Sequence, residues 1–218
     1  GATFEAIIGT AADQVAVAPG ELRRTWAEAG RRYFHYASDV PIIGDYIFAS
    51  ANYVVHRERW NGVDIQVFLH PGHTRHIDRL LRGIRESLDY YSAQFGPYPY
   101  PFLQLIEQPG NFIGMGVEGS GVIAAGEGSF LPDPRGDGLD LIFEVVAHEV
   151  GHQWWGMQLK PAFAEGGGVI SEGLAWYSSM RLLKHVKGRE TLRQLMKFMR
   201  EPSPWPQIRT GLPLLRAM

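Results

Sequence analysis

The sequence contains no cysteine, and this absence narrows the chemistry open to the chain. Disulfides and thiolate ligands are excluded, so any metal ion must be held by histidine and carboxylate side chains. Long apolar runs are also missing. No stretch reaches the roughly 18–20 residues of a membrane span, and the N-terminus lacks the basic-then-apolar order of a signal peptide. The sequence therefore predicts a soluble chain with no membrane contact of its own.

The sequence also has no large excess of positive or negative charge. Lys and Arg number 21 against 23 Asp and Glu, the formal net charge is -2, and no long block of like charge occurs. This balance does not favour nucleic acid as a partner. Hydrophobic residues make up 45% of the 218 positions, which suits one large globular domain or two small ones. Because the chain starts without Met and stops abruptly, we expect it to be a piece of a longer protein.

The first third of the chain has the pattern of strands. Short β-branched and aromatic runs, separated by Gly, Pro and Asp, predict strands over 4–8, 14–18 and 32–37. Two further runs, 46–60 and 63–69, flank Asn61-Gly62, a dipeptide suited to a tight hairpin turn. Residues 1–70 are therefore predicted to form an antiparallel sheet.

After Pro71-Gly72 the spacing of the apolar residues changes from the alternation of a strand to the repeat of a helix. A helical stripe of apolar residues runs from Ile77 to Phe95 and is closed by Gly96-Pro97. Two further strands are predicted over 102–107 and 122–125, and three helices over 141–159, 170–186 and 189–201. Asp137 or Asp140 is expected to cap the first of these helices, and Gly188 separates the last two.

The stretch Glu144–Gly156 carries His148, Glu149 and His152 in the pattern H-E-x-x-H, inside an apolar run without proline. Positions four apart on a helix lie one above the other, so both imidazoles point to the same side. Polar groups on a buried helix need partners, and a metal ion supplies one. Glu149, next to the ligands but not one of them, is expected to accept a proton from water.

A tetrahedral catalytic zinc takes three protein ligands, commonly two His and one Glu. Glu172 lies twenty residues after His152, near the start of a predicted helix, and is the expected third ligand. Glu165 is the rival, in a glycine-flanked loop, and Glu144 is either a hydrogen-bond partner of a ligand or a surface acid. The remaining histidines are expected to be structural or solvated: His35, His56, His70, His73, His76 and His185.

Two segments resemble the alanyl-aminopeptidase family, gluzincins with a thermolysin-like catalytic domain. HEVGHQWWG at 148–156, followed by SEGLA at 171–175, is similar to the family's zinc signature. MGVEGSGVIAAGE at 115–127 is similar to its G-A-M-E-N-W-G-L-I-T-Y-R-E segment. The closing stretch at 212–216 more weakly resembles bacterial members fused to ABC-transporter permeases, which would make the parent chain membrane-embedded. The sequence does not indicate the cellular compartment of the protein.

The resemblance implies one zinc ion per chain, bound by His148, His152 and Glu172, with Glu149 as the general base. It also implies an α+β fold. Residues 1–70 would be the C-terminal part of an N-terminal β-domain, and residues 71–218 a thermolysin-like catalytic domain truncated at its C-terminal end.

The second segment implies how a peptide would be held. Glu118 takes the position of the family's exopeptidase glutamate, which acts in catalysis by binding the α-ammonium group of the substrate. The backbone of Gly116 and Val117 would pair with the peptide as an added strand. Together these residues imply an aminopeptidase.

Three departures keep other functions open. The gap between His152 and Glu172 is one residue longer than in that family and equals the gap in thermolysins, which are endopeptidases. Ser171 replaces the usual Asn, and the family's transition-state tyrosine lies beyond the end of this chain. The piece by itself is therefore expected to be weakly active or inactive. The alternatives are a zinc endopeptidase with the same site and a non-catalytic module for peptide binding or assembly in a larger membrane protein.

Overall fold

The computed structural model describes residues 1–43, 46–110, 116–133, 136, 139–162 and 166–200. Strands and helices are both abundant, which confirms the α+β class. The chain divides into two compact units, one of residues 1–77, 99–108 and 117–124 and one of residues 78–98, 109–116 and 125–218. The division into two domains at residue 70 stays a prediction.

The first unit opens with short sheets. Its first five strands are β1 (Ala2–Ala11), β2 (Val15–Val17), β3 (Glu21–Glu28), β4 (Arg31–Ile42) and β5 (Ala49–Ala51). An antiparallel sheet has the order β1-β4-β3, and β2 pairs with β5. The sequence did not predict β3, because its mostly polar residues have no apolar alternation and are largely exposed.

A five-stranded sheet follows, with the order β6-β7-β8-β10-β9. Its strands are β6 (Val54–Trp60), β7 (Val63–Leu69), β8 (Phe102–Gln108), β9 (Gly116–Gly119) and β10 (Val122–Gly126). The predicted hairpin joins β6 to β7, with positive φ angles of 42° at Asn61 and 88° at Gly62. β9 is an edge strand.

The expectation that residues 1–70 form only antiparallel pairs is wrong at β7. This strand pairs in parallel with β8, which follows it only after a long helical connection. Most of its side chains are buried, including adjacent Val67, Phe68 and Leu69. A near-continuous apolar run is typical of a strand covered on both faces.

The second unit contains the main helices. They are α1 (Ile77–Phe95), α2 (Leu141–Gly151) and α3 (Leu174–Arg200), with 3-10 turns at Thr74–His76 and Glu127–Ser129 and a π-helical turn at Val169–Gly173. α1 ends as predicted, since Gly96 has a φ of 109° and donates its N–H to the Ser92 carbonyl. Gly188, with φ 88°, interrupts α3 where a break was expected. Within the described ranges, no helix has both the length and the apolarity to cross a membrane.

Small residues let α1 and α3 approach α2 closely. A Cβ on Gly83 of α1 would lie 3.2 Å from Val146, and one on Gly151 would lie 3.5 Å from Ala175 of α3. The Tyr91 hydroxyl donates to the Ala147 carbonyl at 2.9 Å. These contacts hold the carboxyl half of α2 between two helices.

The start of α2 is fixed by Asp140. Its side chain accepts the Phe143 N–H at 3.2 Å and forms an ion pair with Arg79. Asp137, the other expected cap, lies outside the described residues. The predicted apolar stripe through Trp155 and Leu159 is wrong as a helix, because α2 ends at Gly151.

Candidate metal centre

α2 carries His148 and Glu149 at its buried carboxyl end, and His152 is the C-cap residue that follows it. His148, Glu149 and His152 are 5%, 2% and 1% exposed. The two imidazoles lie on one side of the helix, as expected from their spacing, and their Nε2 atoms are 3.1 Å apart. Two ring nitrogens are therefore presented toward one point in a site largely closed to water.

Glu172 completes the group from the π-helical turn. Its carboxylate oxygens lie 3.2 Å from His148 Nε2 and 3.5 Å from His152 Nε2. The hydrogen bonds from His148 and then His152 hold the pKa of Glu172 well below its ordinary value. Its side chain is 48% exposed, so the group is accessible from the Glu172 side. The structure thus brings together the three residues predicted as ligands.

The π-helical turn offers a physical reason why the longer gap is tolerated. A π turn spans i to i+5 and so holds one more residue than an α turn. Val169–Gly173 form this turn immediately before α3, and Glu172 lies inside it. Glu172 therefore reaches the two imidazoles from a turn that holds one residue more than an α turn.

The spacing of the donor atoms fits a tetrahedral zinc ion. Zn–N and Zn–O bonds of about 2.0–2.2 Å place neighbouring ligand atoms about 3.3–3.6 Å apart on a tetrahedron. The observed separations of 3.1, 3.2 and 3.5 Å lie close to that range. Two neutral imidazole nitrogens and one carboxylate are also the donor chemistry that zinc accepts. The residues present therefore fit the ion.

Hydrogen bonds and ring contacts orient the two imidazoles. His152 Nδ1 lies 3.1 Å from the Trp155 carbonyl, which only accepts, so Nδ1 carries a proton and Nε2 is the nitrogen that would bind a metal ion once it is deprotonated. Trp155 is itself fixed, since its indole N–H donates to Ser178 Oγ at 2.8 Å. The Trp176 ring packs against His148 with ring centroids 4.2 Å apart. Both predicted histidine ligands are thus held in place by tryptophans.

Glu149 lies beside the ligand group, with a carboxylate oxygen within 4.8 Å of a His152 ring nitrogen, and it also abuts the first residue of β9. A Cβ built on Gly116 would lie only 2.3 Å from Glu149 Oε2, so the glycine backbone directly abuts this carboxylate. Glu118 and the Val117 backbone belong to the same edge strand, in the part assigned to the first unit. Their substrate-binding roles stay predictions.

The prediction that Glu144 could be a surface acid is wrong. This residue is 2% exposed, and among the described residues neither carboxylate oxygen has a hydrogen-bond partner. Burial, and then the nearby Asp140 carboxylate, raise the pKa of Glu144 well above its ordinary value. Glu165 and the segment at 212–216 lie outside the described residues.

Comparison with known proteins identifies the family to which this arrangement belongs. Residues 81–203 match the peptidase family M1 domain, a range that includes all three predicted ligands and Glu149. The chain belongs to peptidase family M1. This confirms the aminopeptidase-type gluzincin relationship expected from the two motifs. M1 peptidases depend on zinc, in agreement with the donor set.

Two curated M1 relatives match part of the chain. Aminopeptidase N of Acetobacter pasteurianus is 32% identical over 100 residues, covering 44% of this chain and 28% of the relative. Aminopeptidase 2 of Candida albicans is 30% identical over 125 residues, covering 53% of this chain and 13% of the relative. The matched region therefore spans less than a third of either relative.

A solved structure extends the M1 fold over nearly the whole chain. An M1 zinc metallopeptidase from Deinococcus radiodurans superposes with a TM-score of 0.68 at 19% identity, covering 93% of this chain and 45% of that structure. At this identity the likeness establishes the fold alone. It supports the α+β architecture of an M1 β-domain followed by a catalytic domain.

Proposed function

We propose that this chain carries the catalytic centre of a zinc aminopeptidase, with one zinc ion bound by His148, His152 and Glu172. The observation that carries the proposal is the convergence of three donor atoms at 3.1–3.5 Å, beside a buried carboxylate that is not among them. A structural zinc site usually has four protein ligands, whereas a catalytic one keeps a position for water. The neighbouring Glu149 is the feature that a purely structural site would not need.

Zinc bound there would supply a Lewis acid that polarises the scissile carbonyl and lowers the pKa of water. Glu149 accepts the proton of the attacking water and delivers it to the departing amine. Its position against Gly116 limits the conformations open to this carboxylate. The imidazoles keep their orientation through the Trp155 carbonyl and the Trp176 ring.

The substrate in this proposal is a peptide with a free N-terminus. As an edge strand, β9 can offer main-chain groups to an extended peptide, which would pair with it at Gly116 and Val117. Glu118 on the same strand would bind the α-ammonium group in a charge-assisted hydrogen bond. Fixing the charged end in this way sets the cleavage point one residue inward.

Mass spectrometry of one peptide, free and N-acetylated, tests the proposal. The zinc-loaded protein is expected to shorten the free peptide stepwise from its N-terminus and to leave the acetylated peptide intact. Glu149→Gln should abolish cleavage with zinc still bound. If the zinc-loaded protein cuts neither peptide, that result would instead support a non-catalytic module for peptide binding or assembly.

The sequence spacing favours a zinc endopeptidase as the second candidate, because the gap before Glu172 equals that of thermolysins. An endopeptidase does not require a free α-ammonium group. Internal cleavage of both peptides at similar rates would therefore select this activity, and Glu118→Ala would then leave the rate unchanged.

A further inference from the structure

A second group of metal-ligating side chains lies in the first compact unit, where β7 and β8 end. His70 directly follows β7, and Glu107 is the penultimate residue of β8. Because the two strands are parallel, their carboxyl ends lie at the same edge of the sheet. His73 precedes the short 3-10 turn that follows β7. The pattern H-x-x-H immediately after a strand was the sequence signal for this group.

Glu107 is fully buried and is held on both carboxylate oxygens. His73 Nδ1 lies 2.5 Å from Oε1, and the His70 backbone N–H donates to Oε2 at 2.6 Å. The 2.5 Å separation is much shorter than the edge of about 3.3 Å expected for two ligands of one zinc ion. It is therefore a hydrogen bond, in which His73 Nδ1–H donates to the carboxylate.

This hydrogen bond leaves the lone pair on His73 Nε2. The His73 side chain is 29% exposed, so the ring is partly accessible to solvent. A histidine that donates one ring N–H to a carboxylate is the usual arrangement of a metal ligand and its supporting acid. Glu107 thus has the position of the supporting carboxylate and His73 that of the ligand.

A second imidazole lies beside His73. The ring centroids of His70 and His73 are 6.1 Å apart, with ring planes at 76°. Two imidazoles that share a zinc ion at tetrahedral geometry have centroids about 5.3 Å apart, given Zn–N bonds of about 2.1 Å. The observed centroid separation exceeds that value by about 0.8 Å, so the side chains must rotate to bring one nitrogen of each ring to a shared ion. The Tyr53 ring packs against His70, and its hydroxyl donates to the Glu107 carbonyl, which supports this side of the group.

We propose that His70 and His73 bind a divalent transition-metal ion of the zinc type, with Glu107 orienting His73. This site does not depend on the H-E-x-x-H centre or on peptidase activity. A metal held by two imidazoles keeps positions for water, so binding is expected to be weaker than at a three-ligand site.

Zinc titration by isothermal calorimetry, with zinc content after dialysis measured by mass spectrometry, tests the site. The unmodified protein is expected to bind two zinc ions per chain and the His148→Ala/His152→Ala variant one. Adding His73→Ala should abolish the remaining binding, and adding Glu107→Gln should weaken it about 10- to 100-fold.

His35→Ala is the matched control, because His35 also pairs with a carboxylate in the same unit, Glu5 at 2.7 Å, but on an exposed sheet. In the same background it should leave the zinc ion in place. His70→Phe keeps an aromatic ring against Tyr53 while removing the ring nitrogens, so it tests the ligand role if His73→Ala disturbs folding. The proposal is overturned if the His148→Ala/His152→Ala protein binds no zinc, or if folded His70→Phe retains it unchanged.

Discussion

Replacing Glu144 by Met is expected to stabilise the protein at neutral pH. The carboxylate is buried, has no hydrogen-bond partner among the described residues, and lies near a second acid, Asp140. A buried polar group left without partners costs about 1–3 kcal/mol. For a chain of this size each kcal/mol shifts the melting temperature by about 2–4 °C. We therefore expect a rise of about 2–12 °C.

The effect of Glu144→Met depends on pH in a defined direction. The folded-state pKa of Glu144 is raised well above the ordinary value of 4.5, so the folded protein keeps a proton that the unfolded chain releases. The unmodified protein therefore loses stability relative to the variant as pH rises above about 4.5. The difference levels off once folded Glu144 ionises. Below the unfolded-state pKa only the cost of burying the neutral carboxyl remains.

Thermal and urea unfolding of metal-free protein across this pH range measure the difference. Glu144→Gln keeps a polar group of the same shape, so it should lose the pH dependence and only part of the cost. Glu190→Met is the matched control, since Glu190 is an exposed helical glutamate whose replacement should change stability by less than about 0.5 kcal/mol. If Glu144→Met lowers stability at neutral pH, or if its effect is independent of pH, the buried carboxyl has a favourable partner and the reasoning fails.

Three further predictions concern α2 and its neighbours. Glu149→Gln should lower the turnover of a free peptide about 100- to 10,000-fold while zinc content stays at the unmodified level; a loss of zinc instead would make Glu149 a ligand. Asp140→Ala removes the cap of α2 and the partner of Arg79, so urea unfolding should show a loss of about 1–2 kcal/mol; an unchanged midpoint would show that the cap is dispensable. Deleting Gly168 should convert the π turn to an α turn and preserve zinc affinity by calorimetry, whereas loss of binding would show that the π turn itself positions Glu172.

Local sequence patterns were sufficient to predict those structural features that depend only on residues close together in the chain. The i, i+4 spacing placed His148 and His152 on one side of a helix, and Asn61-Gly62 specified the hairpin turn. Gly96 and Gly188 marked the end of α1 and the break in α3, because both adopt a positive φ angle that disfavours other residues. The family relationship also followed from local motifs.

Burial and long-range pairing were decided only by the tertiary structure. Nothing near Glu144 in the sequence distinguishes a surface acid from a buried one, since its exposure depends on the helices that pack against α2. The partner of β7 is β8, more than thirty residues later, so its parallel pairing depends on the path of the connecting helix.

The same division holds for the two metal-ligating groups. The spacing of His148, Glu149 and His152 determined half of the candidate zinc site, because an α-helix fixes their relative positions within one turn. Its third member came from a separate element, and only the fold brings Glu172 to 3.2 Å from His148. His73 and Glu107 are 34 positions apart, and they meet because parallel strands end at the same edge of a sheet. The sequence alone therefore determined the chemistry of each residue, and the tertiary structure decided which of these residues act together.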